Sequence, residues 1–180
     1  MLITLGYFTH VTSFYFIIKW VPKLVVDMGF QPRTAAGVLT WLNVGGATGV
    51  AIFGLIATRV SLKALTVVTL LGSSAMVVWF GRGPHDLVSL AATVAIAGVF
   101  INSAIGGYYL LFAKVFPTHV RATGTGFAIG VGRGGAVLAP ILAGYLFQAG
   151  LAMPTVATMM AMGSLLSAAA LLALKVRAAD

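Results

Sequence analysis

The sequence predicts an all-α integral membrane protein of six transmembrane helices, and three observations carry that prediction. Of its 180 residues, 60% are hydrophobic and only 8% charged, with a mean hydropathy of +1.06; soluble domains carry about 25% charged residues. The apolar residues fall into six runs, each near the ~20 residues needed to cross a hydrocarbon core. The charged residues gather, with glycine and proline, in the breaks between those runs.

Taken in order, the first span covers about 2–21 and ends at Trp20-Val21-Pro22-Lys23. Trp20 suits a membrane–water interface, where Lys19 and Lys23 can snorkel toward the headgroups. No basic segment precedes this run and no small-residue cleavage site stands out, so it reads as a span rather than a signal peptide. Its abrupt start raises the expectation of missing upstream sequence. A loop with Asp27, Gly29, Pro32 and Arg33 leads to the second span, 34–58, and Arg59 and Lys63 bound a short turn into the third, 64–80. The breakers Gly81-Arg82-Gly83-Pro84-His85-Asp86 precede the fourth, 87–113. A basic loop from Lys114 to Arg121 enters the fifth, 122–148, and a turn at 150–154 the sixth, 154–174. The whole of 1–180 is thus one six-helix transmembrane unit with no soluble domain.

The net charge of +8, from 11 cations and 3 acids, does not point to nucleic acid, because the cations are loop charges. One side collects Arg59, Lys63, Lys114, Arg121, Lys175 and Arg177 against Asp180; the other has Lys23, Arg33 and Arg82 diluted by Asp27 and Asp86. The positive-inside rule puts the first side, and with it both termini, in the cytoplasm. There is no cysteine, which removes disulfides, thiolate catalysis and cysteine metal sites. No metal or cofactor is expected.

Small residues recur at helical spacing. Gly45 and Gly49 in the second span, Gly98, Asn102 and Gly106 in the fourth, and Gly126, Gly130 and Gly134 in the fifth each form a stripe four residues apart. Such stripes let helix backbones approach closely, and the same faces can also line a transport path.

The costliest residue is Arg133, about 12 residues inside the fifth run and so roughly 18 Å along a helix, near mid-membrane. Intramembrane charge marks a functional site by default. A guanidinium can clamp a carboxylate through two parallel hydrogen bonds; alternatively Arg133 bonds backbone carbonyls freed around Gly130–Pro140 and serves gating. His10 lies near mid-span with Tyr7 and Phe14 on its face. It can handle protons, or sit neutral and hydrogen-bonded in the packing. Asn102 offers an amide to a polar substrate or to a neighbouring helix. Tyr108 and Tyr109 are placed to stack on an aromatic ligand or, for at least one of them, to anchor at the interface. Trp41 and Asn43 carry the same ambiguity.

From span four onward the residues resemble the major facilitator superfamily. Phe116-Pro117-Thr118 followed by Arg121-Ala122-Thr123-Gly124 is similar to the cytoplasmic loop entering helix eleven. Gly130-Val131-Gly132-Arg133-Gly134-Gly135 with Pro140 resembles the branch that imports aromatic acids with protons, as does Tyr15-Phe16 with Trp20-Val21-Pro22 for helix seven. Gly54, Arg59 and Lys63 stand where the superfamily's glycine-acid-basic loop signature falls, with Thr58, Ser61 and Leu62 in place of the acid, the second glycine and a basic residue. Lys114 stands where many relatives have glutamate.

The resemblance covers essentially the whole chain, as helices seven to twelve only. It implies one half of a major facilitator fold, built as an inverted three-plus-three repeat, in a bacterial cytoplasmic membrane. The implied function is alternating-access symport of a small, aromatic organic acid with a proton. Arg133, Asn102, Tyr108, His10 and Tyr7 would line the site, while Gly54, Arg59, Lys63, Pro117, Arg121, Gly130 and Gly134 would serve loops and gating. The implied partners are the acid, the proton, the bilayer, and a missing N-terminal half or a second copy. The rivals are a carrier of another metabolite class and a non-transporting packing or regulatory half-protein. An intramembrane enzyme is disfavoured: there is no H-E-x-x-H, no mid-span aspartate pair and no serine with a neighbouring base in sequence. The three acids, Asp27, Asp86 and Asp180, all lie outside the spans, leaving His10 as the one buried group that titrates near neutral pH.

Overall fold

The computed structural model describes residues 1–83 and 86–174, which fold into six α-helices and no strand. These are α1 (Leu2–Asp27), α2 (Pro32–Ala57), α3 (Leu62–Gly81), α4 (Leu87–Val115), α5 (Arg121–Gln148) and α6 (Met153–Ala173). Lys175, Arg177 and Asp180, three of the residues used to orient the chain, lie outside the described residues, as do Pro84 and His85.

Five of the helices, α2 to α6, are long and apolar enough to cross a membrane. The other, α1, has the length, but Thr4, His10, Thr12 and Ser13 dilute it. Those side chains are buried, because α1 packs between α5 and α6, and a helix shielded by protein does not need an apolar surface all round. The first helix also runs past the expected stop at Val21. Pro22 lies inside it, where it removes one backbone donor without ending the helix. The last turn is held by an ion pair from Lys23 Nζ to Asp27 Oδ2 at 2.6 Å.

The connections at one end share a physical device. After α1, α3 and α5 the chain turns at Gly29, Gly83 and Gly150, with φ of 86°, 74° and 79°, a left-handed conformation that only glycine adopts without steric cost. At that same end α4 starts with Asp86 accepting from the Ser89 backbone N–H at 2.6 Å, while the Ser89 hydroxyl faces the Asp86 N–H. At the opposite end Lys63 Nζ donates to the Leu172 and Leu174 carbonyls, at 2.9 and 2.6 Å. A cation thus meets the negative end of α6, and the α2–α3 turn sits beside the close of α6.

The packing repeats itself. α1 packs on α5 and α6 as α4 packs on α2 and α3, and α3 packs on α6. Exchanging α1 with α4, α2 with α5 and α3 with α6 leaves this pattern unchanged. Each unit has three spans, so the second enters from the opposite side of the membrane, and the repeat is inverted. Resemblance alone implied this; the helix contacts display it.

Two of the three small-residue stripes sit at tight seams. A Cβ on Gly45 or Gly49 would overlap the Ala95 or Val99 backbone of α4, and one on Gly98 would overlap the Leu42 carbonyl of α2. The third does not. Gly126 and Gly130 have nothing facing them among the described residues, and Gly134 meets only the Phe8 ring. The α5 face that packs on α1 carries Ala128, Gly132, Gly135, Ala139 and Ala143. At about 100° per residue, Gly126 and Gly130 lie roughly opposite it.

Candidate functional site

A cavity of about 360 Å³ opens between α1 and α4, flanked by α2 and α5. It belongs to both repeats at once: α1, α2, α4 and α5 all line it, and α3 and α6 do not. Arg133 comes from the middle of α5, Asn102 and Tyr109 from α4, and Tyr7, Phe14 and Tyr15 from α1. The wall therefore combines one guanidinium, one carboxamide and three phenols with a phenyl ring. The larger clefts at the ends of the α2–α4 and α1–α5 seams are almost wholly apolar and hold no charged side chain.

Arg133 is exposed toward this space. It makes no hydrogen bond or ion pair with any described residue, the carbonyls around Pro140 included, although Pro140 lies within α5 and its missing N–H frees a carbonyl one turn back. Its neighbour Gly132 explains how it comes so close to α1. The Tyr7 ring lies against α5 where a Cβ at residue 132 would stand. Arg133 and Tyr7 thereby line the same cavity.

Asn102 leans over Gly46 of α2, and its Nδ2 donates to the Gly98 carbonyl at 3.1 Å. Its side-chain oxygen has no partner among the described residues. Tyr7 is fixed by edge-on contacts with Tyr108 and Phe112, both at 5.5 Å between ring centres. Its hydroxyl meets that of Tyr109 at 3.3 Å.

Two expected lining residues stand elsewhere. Tyr108 is completely buried, with its hydroxyl 2.6 Å from Ser167 Oγ on α6. Tyr109, one residue on and so about 100° around the helix, takes the place on the cavity wall. His10 is also completely buried, on the side of α1 that faces α4 and α6. Its Nε2 lies 3.2 Å from the Ile101 carbonyl and its Nδ1 3.0 Å from Ser164 Oγ. A carbonyl only accepts, so Nε2 carries hydrogen; in the neutral ring Nδ1 then accepts from Ser164, leaving Ser164 Oγ to accept from Ser73, 3.3 Å away. One acceptor thus sets the direction of the whole chain of bonds.

A serine does therefore neighbour a base, which the sequence spacing concealed because 154 positions separate the two. Both are fully buried, and neither lines a cavity described above.

Of the loop residues, Lys63 caps α6 as described. Arg121 Nε donates to the Phe116 carbonyl at 3.3 Å across the turn that contains Pro117. Arg59 is exposed in the α2–α3 turn, and Gly54 has open space around its Cα.

No protein-family model matches the chain. Among curated proteins it is 33% identical over 151 residues to the 3-(3-hydroxy-phenyl)propionate transporter of Escherichia coli, covering 83% of this chain and 37% of that protein. It is 27% identical over 169 residues to the gallate transporter of Pseudomonas putida (94% and 38%) and 34% over 134 residues to the benzoate transport protein of Acinetobacter baylyi (72% and 28%). The matched region is under two fifths of the length of these relatives. The chain is thus a multi-pass membrane protein with the fold of one half of a major facilitator, an inverted three-plus-three repeat, and it is similar along most of its length to bacterial transporters of aromatic acids.

Proposed function

We propose that this chain is the C-terminal six-helix half of a proton-coupled secondary transporter for small aromatic carboxylic acids, working by alternating access. The observation that carries this is Arg133: a guanidinium with no hydrogen-bond or ion-pair partner among the described residues, at mid-bundle, in a cavity walled by aromatic rings, aliphatic side chains and one carboxamide. An aromatic carboxylate has the matching parts. Its oxygens accept two parallel hydrogen bonds from the guanidinium, while its ring lies among Phe14, Tyr15 and Tyr109. Asn102 supplies a second polar contact.

The cavity is open, and a second six-helix body, the N-terminal half or another copy of this chain, closes it in the complete carrier. The two bodies rock about the site between them. The proton is handled by that second body or by the substrate, since the spans described carry no carboxylate beside Arg133. The cation-rich end, with Arg59, Lys63, Lys114 and Arg121, faces the cytoplasm of a bacterial inner membrane, and both termini lie on that side. The chain carries out no chemical conversion.

The test is uptake of labelled benzoate and hydroxybenzoates by the complete carrier, with and without a proton gradient. Replacing Arg133 by lysine retains the charge but loses the planar fork. Loss of a charge-assisted hydrogen bond at about 1.5–3 kcal/mol lowers kcat/KM by roughly 10- to 160-fold. Uptake unchanged by R133K overturns the clamp.

A further inference from the structure

We infer that the paired hydroxyls of Tyr7 and Tyr109 select for a ring hydroxyl on the acid that the cavity takes. The inference rests on the proposed use of the cavity for aromatic acids and gives a hydrogen-bonding role to Tyr109, which the sequence offered only as a stacking or interface-anchoring ring.

The two phenols reach the cavity from different repeats, Tyr7 from α1 and Tyr109 from α4. Their oxygens are 3.3 Å apart, longer than the roughly 2.5–3.0 Å of a good O–H···O bond. One hydroxyl donates to the other, which leaves one hydrogen and several lone pairs of the couple unused. A ring hydroxyl can therefore accept that hydrogen and donate in return without breaking the couple. The other polar groups on the wall are Arg133, engaged by the carboxylate in the proposed complex, Asn102, whose Nδ2 is tied to the Gly98 carbonyl, and the Tyr15 phenol.

The two partners differ in freedom. Tyr7 is nearly fully buried, locked edge-on by Tyr108 and Phe112 and by the backbone at Gly132. Tyr109 is 42% exposed and touches the Tyr7 ring at 6.0 Å between centres. Tyr7 is the fixed reference and Tyr109 the adjustable arm.

The same geometry limits the selectivity. A site whose polar groups are left unpaired by the wrong substrate rejects it by about 10⁴-fold or more. Here an acid without a ring hydroxyl leaves Tyr7 and Tyr109 bonded to each other, so neither is orphaned. Discrimination is then of the size of one net hydrogen bond, about fivefold.

The experiment compares uptake of benzoate, 3-hydroxybenzoate and 4-hydroxybenzoate by the complete carrier and by Tyr109→Phe, Tyr7→Phe and Tyr108→Phe variants. Tyr109→Phe is expected to lower the hydroxybenzoate-to-benzoate ratio of kcat/KM about fivefold for at least one hydroxybenzoate. Tyr7→Phe should act in the same direction. Tyr108→Phe, which loses only the bond to Ser167, should leave the hydroxybenzoate-to-benzoate ratio unchanged. An unaltered ratio in both Tyr109→Phe and Tyr7→Phe, or an equal loss for all three acids, overturns the selector. Measured beside these, Arg133→Gln separates the two ideas. If it abolishes uptake of every acid while the tyrosine variants keep the ratio, the selector fails alone; if it changes nothing, the reading of the cavity itself fails.

Discussion

Replacing His10 distinguishes a packing histidine from a proton-handling one, because the structure fixes what each substitution removes. His10 bonds Ser164 of α6 and the Ile101 carbonyl of α4, from a position with no exposed surface. Hydrogen bonds between membrane helices average about 0.6 kcal/mol, so losing both costs roughly 1.2 kcal/mol. His10→Ala adds a cavity in a closely packed core, worth about 2 kcal/mol or more by analogy with other large-to-small changes. His10→Phe fills the volume and loses only the bonds; Ser164 keeps Ser73 as a partner. The expected order of stability is therefore wild type, then Phe at about −1 kcal/mol, then Ala at about −3 kcal/mol. Thermal unfolding in detergent, followed by tryptophan fluorescence, reads the order. Uptake across a pH range should keep its shape in His10→Phe, since a ring sealed from the cavity and from any carboxylate among the described residues has no route for a proton. A His10→Phe carrier that is as stable as wild type but has lost proton-driven uptake would refute this.

Three further outcomes follow from the seams and the caps. Gly45→Val should abolish stable insertion, because the side chain must enter the Ala95 backbone, whereas Gly130→Ala should leave the stability of this half unchanged or raise it by up to about 1 kcal/mol; unfolding midpoints and membrane yield test both. Lys63→Met should destabilise the end of α6 by up to about 1 kcal/mol by uncapping the Leu172 and Leu174 carbonyls, seen as faster hydrogen exchange confined to that turn.

Hydropathy made the helices legible, because apolar runs and their breakers are written locally. What it could not supply is which face of each helix turns where. The α5 stripe shows why. Gly126, Gly130 and Gly134 have the spacing of a packing face, and so do Ala128, Gly132, Gly135, Ala139 and Ala143, in which alanine and the i+3 steps obscure the pattern. Only the docking of α5 on α1 decides between them. The same ambiguity governs Tyr108 and Tyr109, adjacent in sequence yet divided between the core and the cavity. Arg133 was legible since a charge inside an apolar run needs a reason wherever it points. The partnership of His10 with Ser164 had no local signal at all, being made across 154 residues. A weak one did exist for the polar core: Ser164 and Ser167 on α6 lie three apart, on the helix face that Ser13 and Ser74 also reach, bonding the Met160 and Ala161 carbonyls at 2.6 and 3.1 Å.

The repeat accounts for where the cavity lies, and its imperfection for what the cavity can do. Exchange of α1 with α4 and α2 with α5 sets two glycine seams against each other: Gly45 and Gly49 on the backbone of α4, Gly132 and Gly135 on the Tyr7 ring and the backbone of α1. Both seams draw a flanking helix inward, and the space left between the flanks is the cavity. The chemistry does not repeat. Beside Gly132 stands Arg133, whereas the matching turn of α2, from Val44 to Val50, carries no charge. A cation on one flank and an aliphatic wall on the other polarise the space across the repeat. An anion entering it is drawn toward α5, and whatever apolar or phenolic part it carries is left for α1 and α4, where Phe14, Tyr15, Tyr7 and Tyr109 lie. A symmetric substrate would gain nothing from such a site. In the proposed carrier the broken symmetry orients an acid with a charged end and a ring.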